Sequence, residues 1–274
     1  MASETIGKTF GVAAGVCIVC SVLVSTAAVS LKERQDLNKR RDRNRNILIA
    51  AGVIEEGESA SAKNVEDWFA EKIDERWVNL DTGEFTDGKD VPERCKDEIK
   101  AEKSRDPACS REIDQAGLKR RVNYRRVYIT PKQGQIERVI LPVHGKGLWS
   151  TMYGFLALDR DLRTIKRFAF YEHGETPGLG GEVDNPRWKQ SWVGKEAYGE
   201  QGLDSGVAEP QIRVVKGTAD PNSDSEVDGL SGATLTARGV QNLVWFWLSE
   251  EGYGKFLQKF RRTLQKQMTG EQHG

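Results

Sequence analysis

Asp228-Gly229-Leu230-Ser231-Gly232-Ala233-Thr234-Leu235-Thr236 runs straight into Thr236 to Glu250, where Val240, Leu243, Val244, Trp247 and Leu248 recur at helical spacing. The nonapeptide therefore lies at the start of an amphipathic helix, and this junction governs how the C-terminal half is read. Amides at a helix start, together with the helix dipole, favour an anion. Gly232 lets the chain bend and lets a ligand approach the backbone without a side-chain clash. Thr234 supplies an oxygen that can be esterified, and Thr236 is a rival acceptor close by. The backbone amides of Leu235, Thr236 and Ala237 are the expected phosphate donors. The same residues also suit an ordinary helix start, with Thr236 or Ser231 as N-cap.

Outward from this junction, Gly254 to Gln267 predicts a second helix through Phe256, Leu257, Phe260 and Leu264. Tyr124 to Ile129, Gln135 to Val143, Met152 to Asp159 and Thr164 to Glu172 are rich in Val, Ile, Phe and Tyr and are broken by turn residues. They read as a sheet, mostly antiparallel because the links are too short for crossover helices. Arg187 to Gly194 and Ile212 to Lys216 read as further strands, and Pro221 to Ser225 as a loop. Towards the N-terminus, Asn46 to Gly57 reads as a short helix around Ile47, Leu48, Ile49 and Val53. Val65, Trp68, Phe69, Ile73 and Trp77 form a stripe at helical spacing, the mark of core packing. Asp81 to Gly117 is charged and rich in Gly and Pro, and reads as a long surface excursion with a short helix at Glu93 to Lys103. The fold class is α+β.

The chain has 274 residues, with 41 basic and 41 acidic side chains, so its formal net charge is zero. A nucleic-acid partner is not expected, because neutralising phosphates needs a basic excess. Thr9 to Leu31 is uncharged over 23 residues, roughly 35 Å as a helix and enough to cross a bilayer. A cleaved signal peptide ending near Ser25-Thr26-Ala27 is the competing reading. Lys32 to Arg45 holds seven Lys/Arg against three acids, and the positive-inside rule would keep the large soluble part in the cytoplasm. These basic residues also suit contact with anionic membrane lipid or a neighbouring subunit. Cys95 and Cys109 either close a disulfide loop or stand as two free thiols. With three histidines and no paired Cys-x-x-Cys outside the apolar segment, no metal site is expected. No catalytic nucleophile–base set is legible either.

The nonapeptide resembles the Asp-Gly-x-Ser-Gly-Ala-Thr flavinylation motif of covalent FMN-binding domains in membrane redox pumps. A second family element stands upstream at His173-Gly174-Glu175-Thr176-Pro177-Gly178-Leu179-Gly180-Gly181. Both motifs, in this order behind one N-terminal apolar segment, are similar to the membrane-anchored, FMN-carrying C subunit of the sodium-translocating NADH:quinone oxidoreductases. The resemblance covers most of the chain. It implies one FMN, joined by a phosphoester to Thr234, with Asp228, Ser231, Gly232 and Ala233 as surrounding recognition elements. Leu235 and Thr236 then lie beside the phosphate. Glu175, Thr176, Gly178 and Leu179 form a loop that can approach a ring, with Thr176 and Leu179 as candidates to touch the isoalloxazine. Gly147, Trp149 and Ser150 of the glycine-rich turn His144 to Ser150 are the third element. There Trp149 could stack on the flavin, or be the buried Trp of a plain hairpin turn. His173 suits loop support, and Arg187, Trp188 and Trp192 suit either structure or a partner-facing patch.

The resemblance implies an electron-relay subunit of a multi-subunit bacterial inner-membrane NADH:quinone reductase. A flavin transferase would mature it, and the soluble part would lie on the periplasmic side, against the charge rule. The chemistry would be the flavin's, with the protein supplying attachment and orientation. The expected organisation is an N-terminal tail (1–8), a transmembrane helix (9–31), a helical lead-in with the charged excursion (32–122), an FMN-binding domain (123–268) and a C-terminal tail (269–274). The equivalent subunit of the related ferredoxin:NAD oxidoreductase complex is the nearest alternative. A non-redox membrane-anchored envelope scaffold would be flavin-free, and a solute-binding module released by signal cleavage would have a free mature N-terminus near Ala28.

Overall fold

The computed structural model describes residues 6–132, 135–200 and 202–270. Most of the expected N-terminal tail and the last residues of the C-terminal tail lie outside this set. The chain divides into two compact units, Met1–Asn44 and Arg45–Gly274. In the first, residues 6–44 belong to helix α1 (Ile6–Ala51). By length and composition alone that helix can cross a membrane, and its apolar window is not buried.

No separate helix forms at Asn46 to Gly57. Instead α1 runs on to Ala51 and stops at Gly52, whose φ of +71° is available to glycine at little cost. The stop is a Schellman arrangement: Gly52 N donates to Ile49 O (3.0 Å) and Val53 N to Leu48 O (2.9 Å). Arg138 Nη1 adds a bond to Ala51 O at 2.8 Å. The end of α1 offers Ile47, Leu48, Ala50 and Ala51 to a core shared with Ile54, Tyr128, Ile140, Phe155 and Ala157. Helix α2 (Ala62–Lys72) adds Val65 to it and begins at Ser61, which caps Asn64 N.

After Lys72 the period changes. Trp77 lies on strand β1 (Asp74–Asn79), not on a helix, and Arg126 covers its ring at 4.5 Å. The Ile73–Trp77 interval of four residues fits a helix face and an alternating strand equally well, which is why the stripe misleads. The excursion is also structured. It contains β2 (Glu84–Thr86), α3 (Glu98–Lys103), β3 (Ser110–Gln115) and most of the turn into β4 (Leu118–Val122). Cys95 and Cys109 are bonded and buried with Val91, Ala101 and Val122. A small apolar cluster and a cross-link do here what periodicity does elsewhere, so the sequence pattern carries little sign of it. Replacing both cysteines by alanine is expected to lower stability by about 3 kcal/mol, measured as a shift in the urea unfolding midpoint.

Strands β5 (Tyr124–Lys132), β6 (Gln135–Lys146), β7 (Thr151–Asp159) and β8 (Ile165–Glu172) complete a sheet ordered β2-β1-β5-β6-β7-β8, antiparallel throughout. Arg187 to Gly194 is not a strand. Asn185 caps Arg187 N and Pro186 opens a short helix, α4 (Pro186–Gln190). β9 (Arg213–Val214) and β10 (Glu226–Val227) form a parallel pair. Helices α5 (Thr234–Leu248) and α6 (Gly254–Gly270) share the main core with the sheet. Trp188 and Trp192 are part of that core rather than a partner-facing patch.

β5 and β6 pair from Tyr128 opposite Ile140 to Lys132 opposite Gln135. Beyond that register, side chains take over from backbone. Tyr253 Oη donates to Pro142 O (2.8 Å) and Trp247 Nε1 to His144 O (2.7 Å). Arg125 is buried over the Trp247 ring at 4.5 Å. His144 stacks on Tyr153 and meets Glu102 of α3 at 3.1 Å. A carboxylate only accepts, so His144 Nε2 carries the proton. Burial, then the Arg125 charge, holds His144 below its ordinary pKa against the pull of Glu102. The unfolded chain therefore binds the extra proton. Stability from this site is present above about pH 6.5 and lost as pH falls towards the depressed folded value. His144→Gln, which can still donate to Glu102, is expected to flatten the stability–pH slope between about pH 7 and 5, read from urea midpoints at stepped pH. An unchanged slope would exclude His144 as its source.

Candidate functional site

Helix α5 begins at Thr234, two residues earlier than its apolar periodicity suggests, with Ala233 as an N-cap that makes no side-chain bond. A turn precedes it: Ala233 N donates to Leu230 O at 3.1 Å, and Gly232 has φ +71°. Ala237 N donates to Ala233 O at 3.0 Å. This corrects the expected donor set, because the Ala237 amide is spent inside the helix. The first-turn amides without an intrahelical acceptor are those of Thr234, Leu235 and Thr236.

The two threonines are not equivalent. Thr234 is exposed and lines a cavity of about 180 Å³ with Lys216, Gly217, Gly229, Leu230 and Arg238 among its neighbours. Thr236 is 1% exposed and donates its hydroxyl to Glu175 Oε2 at 2.6 Å. Its oxygen is therefore closed to a reagent from solvent. Neither Lys216 nor Arg238 stands out in the sequence motifs. Arg238 carries a legible signal, lying four residues after Thr234 on one helix face. Lys216 reaches the cavity only through the fold. A larger groove of about 930 Å³ lies between α6 and strands β1, β2 and β5 and shares no lining residue with the Thr234 cavity. Its rim carries both charge signs, and no motif residue enters it.

Glu175 ties the three motifs together. Its Oε1 accepts from the amides of Trp149 (2.9 Å) and Ser150 (3.2 Å), and its Oε2 from the Leu148 amide (3.1 Å) and the Thr236 hydroxyl. Burial opposes its charge, but the Thr236 hydroxyl and the three amides outweigh that and hold the carboxyl below its usual pKa. Room for it depends on two glycines. A Cβ at Gly147 would come within 2.5 Å of Oε1, and one at Gly180 within 2.9 Å of Oε2. Ser150 Oγ accepts from Gly174 N at 2.6 Å. His173 supports the same loop: its Nδ1 accepts from Glu175 N (3.2 Å), so Nε2 carries the proton that faces Asp184 at 2.9 Å.

Apolar side chains on these segments face outward. Trp149 is 66% exposed, Leu235 55%, Leu179 45% and Leu148 43%. Trp149 is thus not the buried Trp of a hairpin turn. A Cβ at Gly232 would lie 3.0 Å from Leu179 Cδ2, so the Thr176–Leu179 turn sits against the segment that leads into α5. Thr176 and Gly178 are exposed in that turn, which closes through bonds from Leu179 N and Gly181 N to Thr176 O. Asp228 works inward. Its Oδ1 accepts from Ala219 N (2.8 Å) and its carbonyl from Trp188 Nε1 (2.9 Å). Ser231 is exposed beside Gly232. The arrangement joins an open hydroxyl, amides at a helix start, two cations and a set of exposed apolar side chains. That set fits a phosphorylated planar ring: anion donors at one end, an apolar platform for the other.

A family model described as FMN-binding domain matches residues 147–249. The Na(+)-translocating NADH-quinone reductase C subunit of Vibrio alginolyticus is 46% identical over 263 residues, covering 94% of this chain and 96% of that one. The C subunit of the Pseudomonas aeruginosa reductase is 46% identical over 266 residues, covering 94% and 97%. Among solved structures, Shewanella oneidensis NqrC matches with a TM-score of 0.68 at 34% identity, covering 82% of this chain and 99% of that one. The C subunit of the Parabacteroides distasonis reductase matches with a TM-score of 0.60 at 28% identity, covering 83% and 96%.

Proposed function

This chain belongs to the NqrC family, the C subunits of Na(+)-translocating NADH-quinone reductases, and we propose that it is an FMN-carrying electron relay of such a complex, its flavin esterified to Thr234. The observation that carries the site is the contrast between the threonines. Thr234 is open at the free-amide end of α5, whereas the Thr236 hydroxyl is buried and given to Glu175. The helix-start amides with Lys216 and Arg238 would hold the phosphate. Leu148, Trp149, Leu179 and Leu235 would cover an apolar ring face. Bound there, FMN supplies one- and two-electron chemistry that no side chain here provides. The protein's part is to fix the phosphate, present the ring platform and keep the group from dissociating.

Attachment requires a flavin transferase supplying an activated flavin nucleotide. The Thr234 Oγ1–phosphorus bond would form as the donor's phosphoanhydride bond breaks, the nucleotide leaving as a phosphate monoester and the hydroxyl proton passing to solvent. The names of the relatives support assembly with other subunits, and the apolar part of α1 supports a single-span anchor in the inner membrane beside lipid. A buried Cys95–Cys109 disulfide supports an oxidising, periplasmic location for the soluble unit. The basic stretch after Leu31 argues the other way, and on this reading it contacts a partner subunit or anionic headgroups. Intact-mass spectrometry of the full chain, produced with and without the transferase, tests the function. A gain of one FMN less water only with the transferase is expected. No gain, with the transferase verified on a control substrate, would leave a flavin-free anchored scaffold.

A further inference from the structure

We propose that Glu175 is a positioning residue: its carboxylate fastens the Leu148–Ser150 turn to the start of α5, and so sets the platform beside Thr234 without touching the flavin. The inference rests on the reading of Thr234 as the flavin acceptor and adds to it the group that builds the site.

An ionised carboxylate offers about four lone-pair sites. Two donors reach each oxygen of Glu175, three successive amides and one hydroxyl in all. Nothing is left over for a ligand, and Glu175 is 5% exposed. Three consecutive amides converging on one anion make a backbone nest, filled here by the protein's own side chain. Converging amides inward turns the Leu148 and Trp149 side chains outward, where both are exposed. The partners lie 25 to 27 residues away on one side and 61 on the other, so no local preference could hold this geometry. Gly147 and Gly180 leave the space the carboxylate occupies. A glutamine of the same shape keeps one acceptor oxygen but turns an NH2 group towards donors: a backbone amide facing it loses its acceptor outright, and only the Thr236 hydroxyl can reverse to accept, so at least one of the four bonds fails.

The test uses the full chain and three variants, Glu175→Gln, Thr236→Val and Thr236→Ser. In the unloaded protein, hydrogen exchange at Leu148, Trp149 and Ser150 is expected to speed up in Glu175→Gln. With the transferase, its rate of FMN mass gain should fall by about tenfold, the equivalent of one charged hydrogen bond. The visible circular dichroism of whatever flavin attaches should change as well. Thr236→Val is expected to slow attachment, and Thr236→Ser, which restores the hydroxyl, to recover it. Wild-type attachment rate and dichroism in Glu175→Gln would overturn the proposal, whether or not its amides exchange faster. Slowing in Thr236→Val without recovery in Thr236→Ser would also overturn it, because the bond would then not be the cause. If the wild-type chain gains no flavin at all, the acceptor reading fails; unchanged exchange at Leu148, Trp149 and Ser150 in Glu175→Gln, which needs no flavin, would instead overturn the fastening role of the carboxylate.

Discussion

Thr234→Val is expected to abolish the FMN mass gain completely, while Thr236→Val should still gain it at Thr234. The first outcome is expected because an ester needs a hydroxyl oxygen, and valine keeps the β-branched shape of threonine without one. The helix start should survive the change, since Ala233 rather than Thr234 is the N-cap and no cap bond is lost. The second outcome follows from burial. Thr236 is 1% exposed and its hydroxyl is already bonded to a carboxylate, so it offers nothing to a transferase. Its removal leaves Glu175 with three donors and slows attachment without moving the site. Intact-mass spectra and peptide mapping of both variants made with the transferase decide the matter. A flavin mapped to Thr236, or retained in Thr234→Val, would reject the assignment.

The second large effect is expected at Trp247. Its ring is fully buried, stands within 5.2 Å of His144 and of Tyr253 and within 5.1 Å of Phe246, and carries Arg125 over its face. Trp247→Ala should cost about 3–5 kcal/mol in cavity and transfer terms. The loss should sit at the upper end, since the His144 carbonyl loses its donor and a buried guanidinium loses the ring that faces it. Trp247→Phe keeps most of the packing and loses the N–H bond, for about 1–3 kcal/mol. Urea unfolding followed by far-ultraviolet circular dichroism measures both. A cost below about 1 kcal/mol for the alanine variant would mean that the gap between β5 and β6 is held by something else.

Much of this molecule is legible where neighbouring residues decide the outcome. The four strands from Tyr124 to Glu172 follow from runs of β-branched and aromatic residues between turns, and their antiparallel order follows from short links. The two C-terminal helices follow from apolar spacing. Legibility fails where one spacing serves two structures, as at Ile73 and Trp77, or where a charged segment is ordered by a disulfide and a small cluster instead of a periodic face. Arg187 to Gly194 misreads for a third reason: its tryptophans look like strand residues, but an Asn-Pro cap starts a helix there.

The same division runs through the site. Sequence alone determined a hydroxyl-bearing helix start, the glycines around it and an apolar segment able to span a bilayer, because those properties depend on residues adjacent in the chain. Tertiary structure decided which threonine is open, that Lys216 and Arg238 flank it, that Trp149 faces outward and that Glu175 faces in. Exposure and hydrogen-bond partnership are properties of segments brought together from far apart, here across 61 residues between Glu175 and Thr236. No local pattern encodes which of two neighbouring hydroxyls meets a buried carboxylate. Only the packing of the loop against α5 does.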